Sequence, residues 1–162
     1  MSSSPLLQVP YPEVLILPDF WVGHYQLAQA CEQRGEHDLA LEALAKAAAF
    51  GGDNSKVLSL RGYVLGKIGR RVEALAVLRT LESLSRDRFV PPQALALVHV
   101  AIGDDDAVFR NLDAAVDAHD VHVVLLPGDP KWDSCRADPR FAAVLRRCGL
   151  AFANRAPQPM LA

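Results

Sequence analysis

The sequence predicts an all-α protein of three stacked helix-turn-helix units closed by C-terminal capping helices. Three observations carry this expectation. Gly35, Gly69 and Gly103 recur at intervals of 34 residues, a period typical of solenoids. Each glycine stands between segments whose apolar residues return every three or four places, the period of a one-sided helix. Small residues and leucines recur in phase with the glycines: Ala28, Gly62 and Ala96, then Leu44, Leu78 and Leu112.

Counted from Trp21, Ser55 and Phe89, the units span 21–54, 55–88 and 89–122. The eighth place of each is small, where two helices must approach closely. The twenty-first place is Leu41, Leu75 and Phe109. Each unit therefore reads as two antiparallel helices of roughly 12 to 14 residues joined at the glycine, which meets the turn without Cβ strain. One such pair cannot bury its apolar stripe alone, and about three are needed for a continuous core.

Start and stop signals agree. Pro91-Pro92 opens the first helix of the third unit, because helix-starting N–H groups are unpaired anyway. Asp104 caps the following helix, and Asp138-Pro139 reads as an N-cap with proline at the first helical position. The valine-rich stretch 94–102 is helix rather than strand, since Pro-Pro precedes it, Gly103 follows it, and it is in register with two other helices. In the tail, Phe141, Val144 and Leu145 form an apolar strip while Arg140, Arg146 and Arg147 face water, as a terminal cap requires. The expected organisation is an N-terminal tail and degenerate stub over 1–17, a helical domain over 18–150 with its cap at 123–150, and a loose tail over 151–162.

The 162 residues are 51% hydrophobic and 22% charged, with a net charge of −2. They suffice for one packed domain. The balance supplies no positive field for a phosphate backbone or an anionic membrane, so nucleic acid and membrane are not expected as partners. No apolar run approaches the ~20 residues needed to span a bilayer, and the N-terminus lacks a basic region ahead of an apolar core. Cys31, Cys135 and Cys148 have no CxxC spacing and are too few for a disulfide framework, which points to a reducing cytoplasm.

The 34-residue pattern resembles the tetratricopeptide repeat, with a small residue at place eight, glycine near fifteen and alanine at twenty. Leu27, Ala28, Gly35, Ala40, Leu44 and Ala47 carry it in unit one; Gly62, Gly69, Ala74 and Leu78 in unit two; Ala96, Gly103, Leu112 and Ala115 in unit three. Pro18 falls where the closing proline of a preceding repeat would lie, marking 13–20 as the stub of a truncated repeat. His24, Leu58 and Pro92 stand where an aromatic is usual. The stretch 90–116, with LLPGDPKWDSCRADPRFAAVLRRCGL after it, resembles the tetratricopeptide segments that close bacterial winged-helix activators, adenylate cyclases and protein kinases. The resemblance implies a right-handed superhelix and either a stand-alone adaptor or a piece of a larger regulator.

Curvature of such a stack puts the first helix of each pair on the concave side, where repeat proteins hold peptides. The inward places are the second, fifth, sixth, ninth, twelfth and thirteenth. They include Tyr25, Gln29, Glu32 and Gln33 in unit one, Leu60, Tyr63, Gly66 and Lys67 in unit two, and Gln93, Leu97, Val100 and Ala101 in unit three. Tyr25, Gln29, Leu60, Tyr63, Gln93 and Leu97 are the expected partner-binding residues, the tyrosines because they combine apolar area with a hydroxyl at little entropic cost. Leu97 and Val100 have an alternative reading as core beneath the tail. A subclass of these repeats clamps chaperone C-terminal carboxylates with cations; the matching places are Tyr25, Gln29, Leu60, Val90 and Ala94, none of them cationic.

Charge alternates in sign along the stack, acidic in units one and three and basic in unit two. Arg70, Arg71 and Arg79 are expected to face Asp104, Asp105, Asp106 or Asp113. No catalytic chemistry is expected. His119, Asp120 and His122 lack a converging fourth metal ligand, Asp104 to Asp106 lack the ligand alternation of a calcium loop, and Cys31 with His24 falls in the packed stripe of a helix. No hydrolase, metalloprotease, phosphate-binding or dinucleotide motif occurs. The expected function is a non-enzymatic scaffold without metal or cofactor that holds a protein or peptide segment. The alternative is self-assembly with a second copy through the N-terminal end at 18–26.

Overall fold

A computed structural model describes residues 20–150. The N-terminal stub over 1–17, Pro18, and the tail over 151–162 lie outside the described residues. Seven α-helices follow in order: α1 (Trp21–Gln33), α2 (His37–Gly51), α3 (Ser55–Lys67), α4 (Arg71–Asp87), α5 (Pro92–Ile102), α6 (Asp105–Asp117) and α7 (Pro139–Arg147). Between α6 and α7 run two 3-10 segments, Val121–Leu125 and Pro130–Cys135. Among the described residues the chain is all-helical, and none of its helices is long and apolar enough to cross a membrane.

The three glycines occupy equivalent bends. Gly35, Gly69 and Gly103 have φ of 75°, 80° and 72°, a left-handed conformation that glycine adopts without Cβ strain. The same hydrogen bond closes each bend: the N–H of Glu36 donates to the carbonyl of Cys31 at 2.9 Å, Arg70 to Leu65 at 2.9 Å and Asp104 to His99 at 3.1 Å. Helices α1 and α2, α3 and α4, and α5 and α6 thereby pack as hairpins, and α3 joins neighbouring hairpins by packing on α5 and α2.

The 34-residue phase extends further than three units. The N-caps of α2, α4, α6 and α7 are Glu36, Arg70, Asp104 and Asp138, so α7 starts where the second helix of a fourth unit would start. The first helix of that unit is replaced by the 3-10 segments. Pro127-Gly128 and Pro130 interrupt the stretch, and Asp120 and Asp129 cap the two short pieces by accepting from the N–H of His122 and Lys131. In the third hairpin α5 starts three residues late, at Pro92, because Pro91 is held extended with ψ 127°.

Core side chains come from all hairpins and from the tail. Leu60, Leu44, Leu112, Leu126 and Trp132 are fully buried, and one cluster runs from Ala28 through Val64 to Phe141 and Val144. The small eighth place is required by packing: a Cβ on Gly62 would lie 2.8 Å from Val98 Cγ2.

The expected ion pairing between units two and three is replaced by another. Arg70 pairs with Glu73 at 2.5 Å within its own helix, and Arg71 donates to the carbonyl of Ile102. The acidic side chains of α6 are met instead by α7: Arg140 reaches Asp106 at 2.8 Å, and Arg147 reaches Asp113 and Asp117 at 2.5 and 2.6 Å. Arg140 also lies 4.3 Å over the ring of Phe109. Helix α7 docks directly on α6, so its arginines are nearer to the acidic band than those of α4.

Candidate functional site

Helices α1, α3 and α5 and the second 3-10 segment share one face of the stack, and the 34-residue phase fixes which side chains converge there. Gln29, Tyr63, Leu97 and Lys131 stand at equivalent places, as do Glu32, Gly66, Val100 and Ser134. Two cavities on this face hold the candidate residues, beside a third of about 390 Å³ lined by Gln29, Gln33, Leu125 and Lys131. The smaller, about 200 Å³, is lined by Tyr25, Gln29, Gln93 and Leu97, with Lys56, Ser59, Leu125, Asp129 and Lys131. The larger, about 680 Å³, is lined by Glu32, Gln33, His37, Tyr63, Lys67, Val100, Ala101, Lys131, Asp133 and Ser134.

Four of the six residues expected to bind a partner thus meet in one cavity, and Tyr63 borders the other. Leu60 does not join them; it is 0% exposed and belongs to the core. Leu97 and Tyr63 present only 4% and 3% of their surface, and the tail contributes to their cover. The second 3-10 segment packs on α5, and its Trp132 is buried in the same cluster as Leu60, Tyr63 and Leu97. Lys131 lines both cavities and so stands between them. The face is occupied in part by the chain's own C-terminal segment, and what remains open lies on either side of Lys131.

The electrostatics follow from burial. The Lys131 ammonium is 2.9 Å from the Asp129 carboxylate, and both side chains are largely shielded. Lys131 adds a cation to those that Lys56 and Lys67 bring from unit two, but its charge is already matched. Glu32 is 8% exposed, and its Oε2 has no hydrogen-bond partner. Burial raises its pKa, and the nearby charges of Lys131, Lys67 and His37 offset that only in part. The Tyr63 hydroxyl is pushed up by burial and then by the negative charges of Glu32, Asp129 and Asp133; the Tyr25 hydroxyl is raised by burial and by Asp129. Lys67 lies 5.9 Å from the Tyr63 ring centroid, within cation–π range.

Glu32 and Lys131 are the site residues that sequence reasoning undervalued. Glu32 already stood at an inward place. Lys131 was legible only through Asp138, whose phase with Asp104 puts Lys131 at the same place as Leu97.

The other candidate chemistries have structural occupations. Asp120 accepts from the N–H of His122 at 3.0 Å and lies 2.8 Å from His122 Nδ1, tying the first 3-10 segment down. Among the described residues no group of three or more His, Cys, Asp or Glu side chains is arranged to hold a metal ion. Cys31 is buried in the core cluster, whereas His24 stacks on Phe50 at 5.9 Å between centroids. No family model, no curated protein and no solved structure matches this chain.

Proposed function

We propose that this chain is a non-enzymatic interaction module, a tetratricopeptide-like superhelix that holds a protein or peptide segment along its inner face, in the manner of the bacterial regulatory segments it resembles. The observation that carries the reading is the convergence of Tyr25, Gln29, Gln93 and Leu97 on one cavity, beside a larger and more polar one that Tyr63 borders. Aromatic rings with polar neighbours, on rigid helices rather than loops, suit a segment whose backbone needs hydrogen bonds and whose side chains need apolar cover. Phase supports the repeat assignment, because four helix starts 34 residues apart leave the shared face no freedom of register.

The test is site-specific photocrosslinking in the source cells. A photoreactive side chain at Gln29 or Gln93 is expected to trap a discrete partner, whereas one at Thr80 on the exposed side of α4 is not. Trapping from Thr80 as efficient as from Gln29 overturns the reading. Tyr25→Ala is the preferred loss-of-binding variant, since Tyr25 is half-buried while Tyr63 also supports the core.

A second reading, self-assembly through the N-terminal end at 18–26, of which 20–26 are described with Phe20 52% exposed, extends onto a neighbouring surface. Leu27, Cys31, Leu39 and Ala43 border an apolar groove on the first hairpin, and Leu39 and Phe50 are 46% and 47% exposed. It predicts a concentration-dependent mass by light scattering, and a constant monomer mass excludes it.

A further inference from the structure

Among the described residues four polar or charged side chains are buried: Glu32, Ser59, Asp120 and Lys131. Three have partners. Ser59 donates to the carbonyl of Lys56 at 3.0 Å, Asp120 holds His122, and Lys131 holds Asp129. Glu32 is the exception: its Oε2 is shielded from solvent and accepts nothing, and its side chain borders the cavity of about 680 Å³. A shielded carboxylate oxygen with no donor is costly, and a charged donor entering the cavity relieves it most strongly.

The charges around Glu32 select the sign of the occupant. Lys131 is neutralised by Asp129, and Asp133 on the cavity wall is neutralised by Arg136 at 2.6 Å. Lys67 is exposed and sits toward the Tyr63 ring, where water screens it. His37 borders the same cavity, and its shielded Nδ1 also has no hydrogen-bond partner; Glu32 is the carboxylate at depth that no ion pair among the described residues answers. A planar guanidinium places two parallel N–H groups on one carboxylate, a match that an ammonium lacks.

Building on the peptide-holding reading above, we propose that the larger cavity is an arginine pocket: the held segment inserts an arginine side chain whose guanidinium donates to Glu32, with Val100 and Ala101 flanking its aliphatic stem. Lys67 competes for the same region, so its removal strengthens the interaction while loss of the Glu32 charge weakens it.

The test titrates the full-length, ¹⁵N-labelled chain with three pools of acetylated, amidated pentapeptides. The pools share degenerate flanks and carry arginine, citrulline or glutamate at the centre. The arginine pool is expected to shift the amide resonances of Gln33, Lys67 and Ala101 and to bind about tenfold more tightly than the uncharged citrulline pool. Glu32→Gln is expected to weaken the arginine pool by about tenfold, and Lys67→Ala to tighten it by about twofold. A Glu32→Gln chain that melts no lower than the parent shows that this weakening is not unfolding. The arginine pocket is overturned if citrulline or glutamate binds there as well as arginine, or if Glu32→Gln binds unchanged. Shifts around Tyr25 and Gln93 that ignore the central residue remove the arginine pocket and keep the groove; three pools that shift nothing remove both.

Discussion

Glu32 ionises less readily than an exposed glutamate because burial strips water from its carboxylate, and Lys131, Lys67 and His37 recover only part of that loss while Asp129 adds to it. A carboxyl whose folded pKa lies above its unfolded value contributes stability that is complete below about pH 4.5 and is lost as pH rises through the folded value. At neutral pH the ionised side chain therefore weighs against folding. Glu32→Gln is expected to stabilise the chain at pH 7 and to lose that advantage near pH 4, as urea unfolding at the two pH values would measure. An equal effect at both would assign the gain to packing instead of charge. A variant that folds better and binds worse is the signature of a residue kept for a ligand.

At the scale of elements, the approach of α3 to α5 is set by residues without side-chain bulk. A Cβ on Gly66 would lie 2.6 Å from Ala101 Cβ and 3.0 Å from the Ala101 backbone, and helix backbone cannot rotate aside as a side chain can. Gly66→Ala is expected to destabilise by about 2 kcal/mol through overpacking, despite the better helix propensity of alanine. Gly128→Ala, with nothing within 4 Å, is the control and is expected to be near neutral in the same chemical unfolding. Glycine at place twelve of unit two was visible in the sequence as an inward residue; that it is a contact between helices follows from the close packing of α3 on α5.

For the molecule as a whole, the C-terminal segment is part of the fold and not an appendage. Leu126, Trp132, Cys135, Phe141 and Val144 all enter the core cluster that begins at Ala28, while the Arg140 and Arg147 pairs are solvent-exposed, where water screens the attraction. Apolar burial thus outweighs ion pairing in holding the tail. Trp132→Ala is expected to cost about 3 to 5 kcal/mol and to remove amide-exchange protection from α7 together with the inner face of α5. Protection lost only at α7 would mean that the tail folds independently of the face it covers.

The sequence by itself determined the helical hairpins, their 34-residue phase and the places that turn inward, since these follow from local rules: helical periodicity, a left-handed residue at each bend, and caps at fixed offsets. It could have revealed the fourth helix start as well, because Asp138 repeats Asp104. Only the tertiary structure decided which inward places stay open. Leu60 went to the core, Leu97 and Tyr63 were covered, and Glu32 was left without a donor, in part because a segment broken by Pro127, Gly128 and Pro130 lies across the face and sets Trp132 and Lys131 into it. Exposure is a property of what comes to rest on a surface, and a contact between residues a hundred positions apart leaves no periodic trace in either of them.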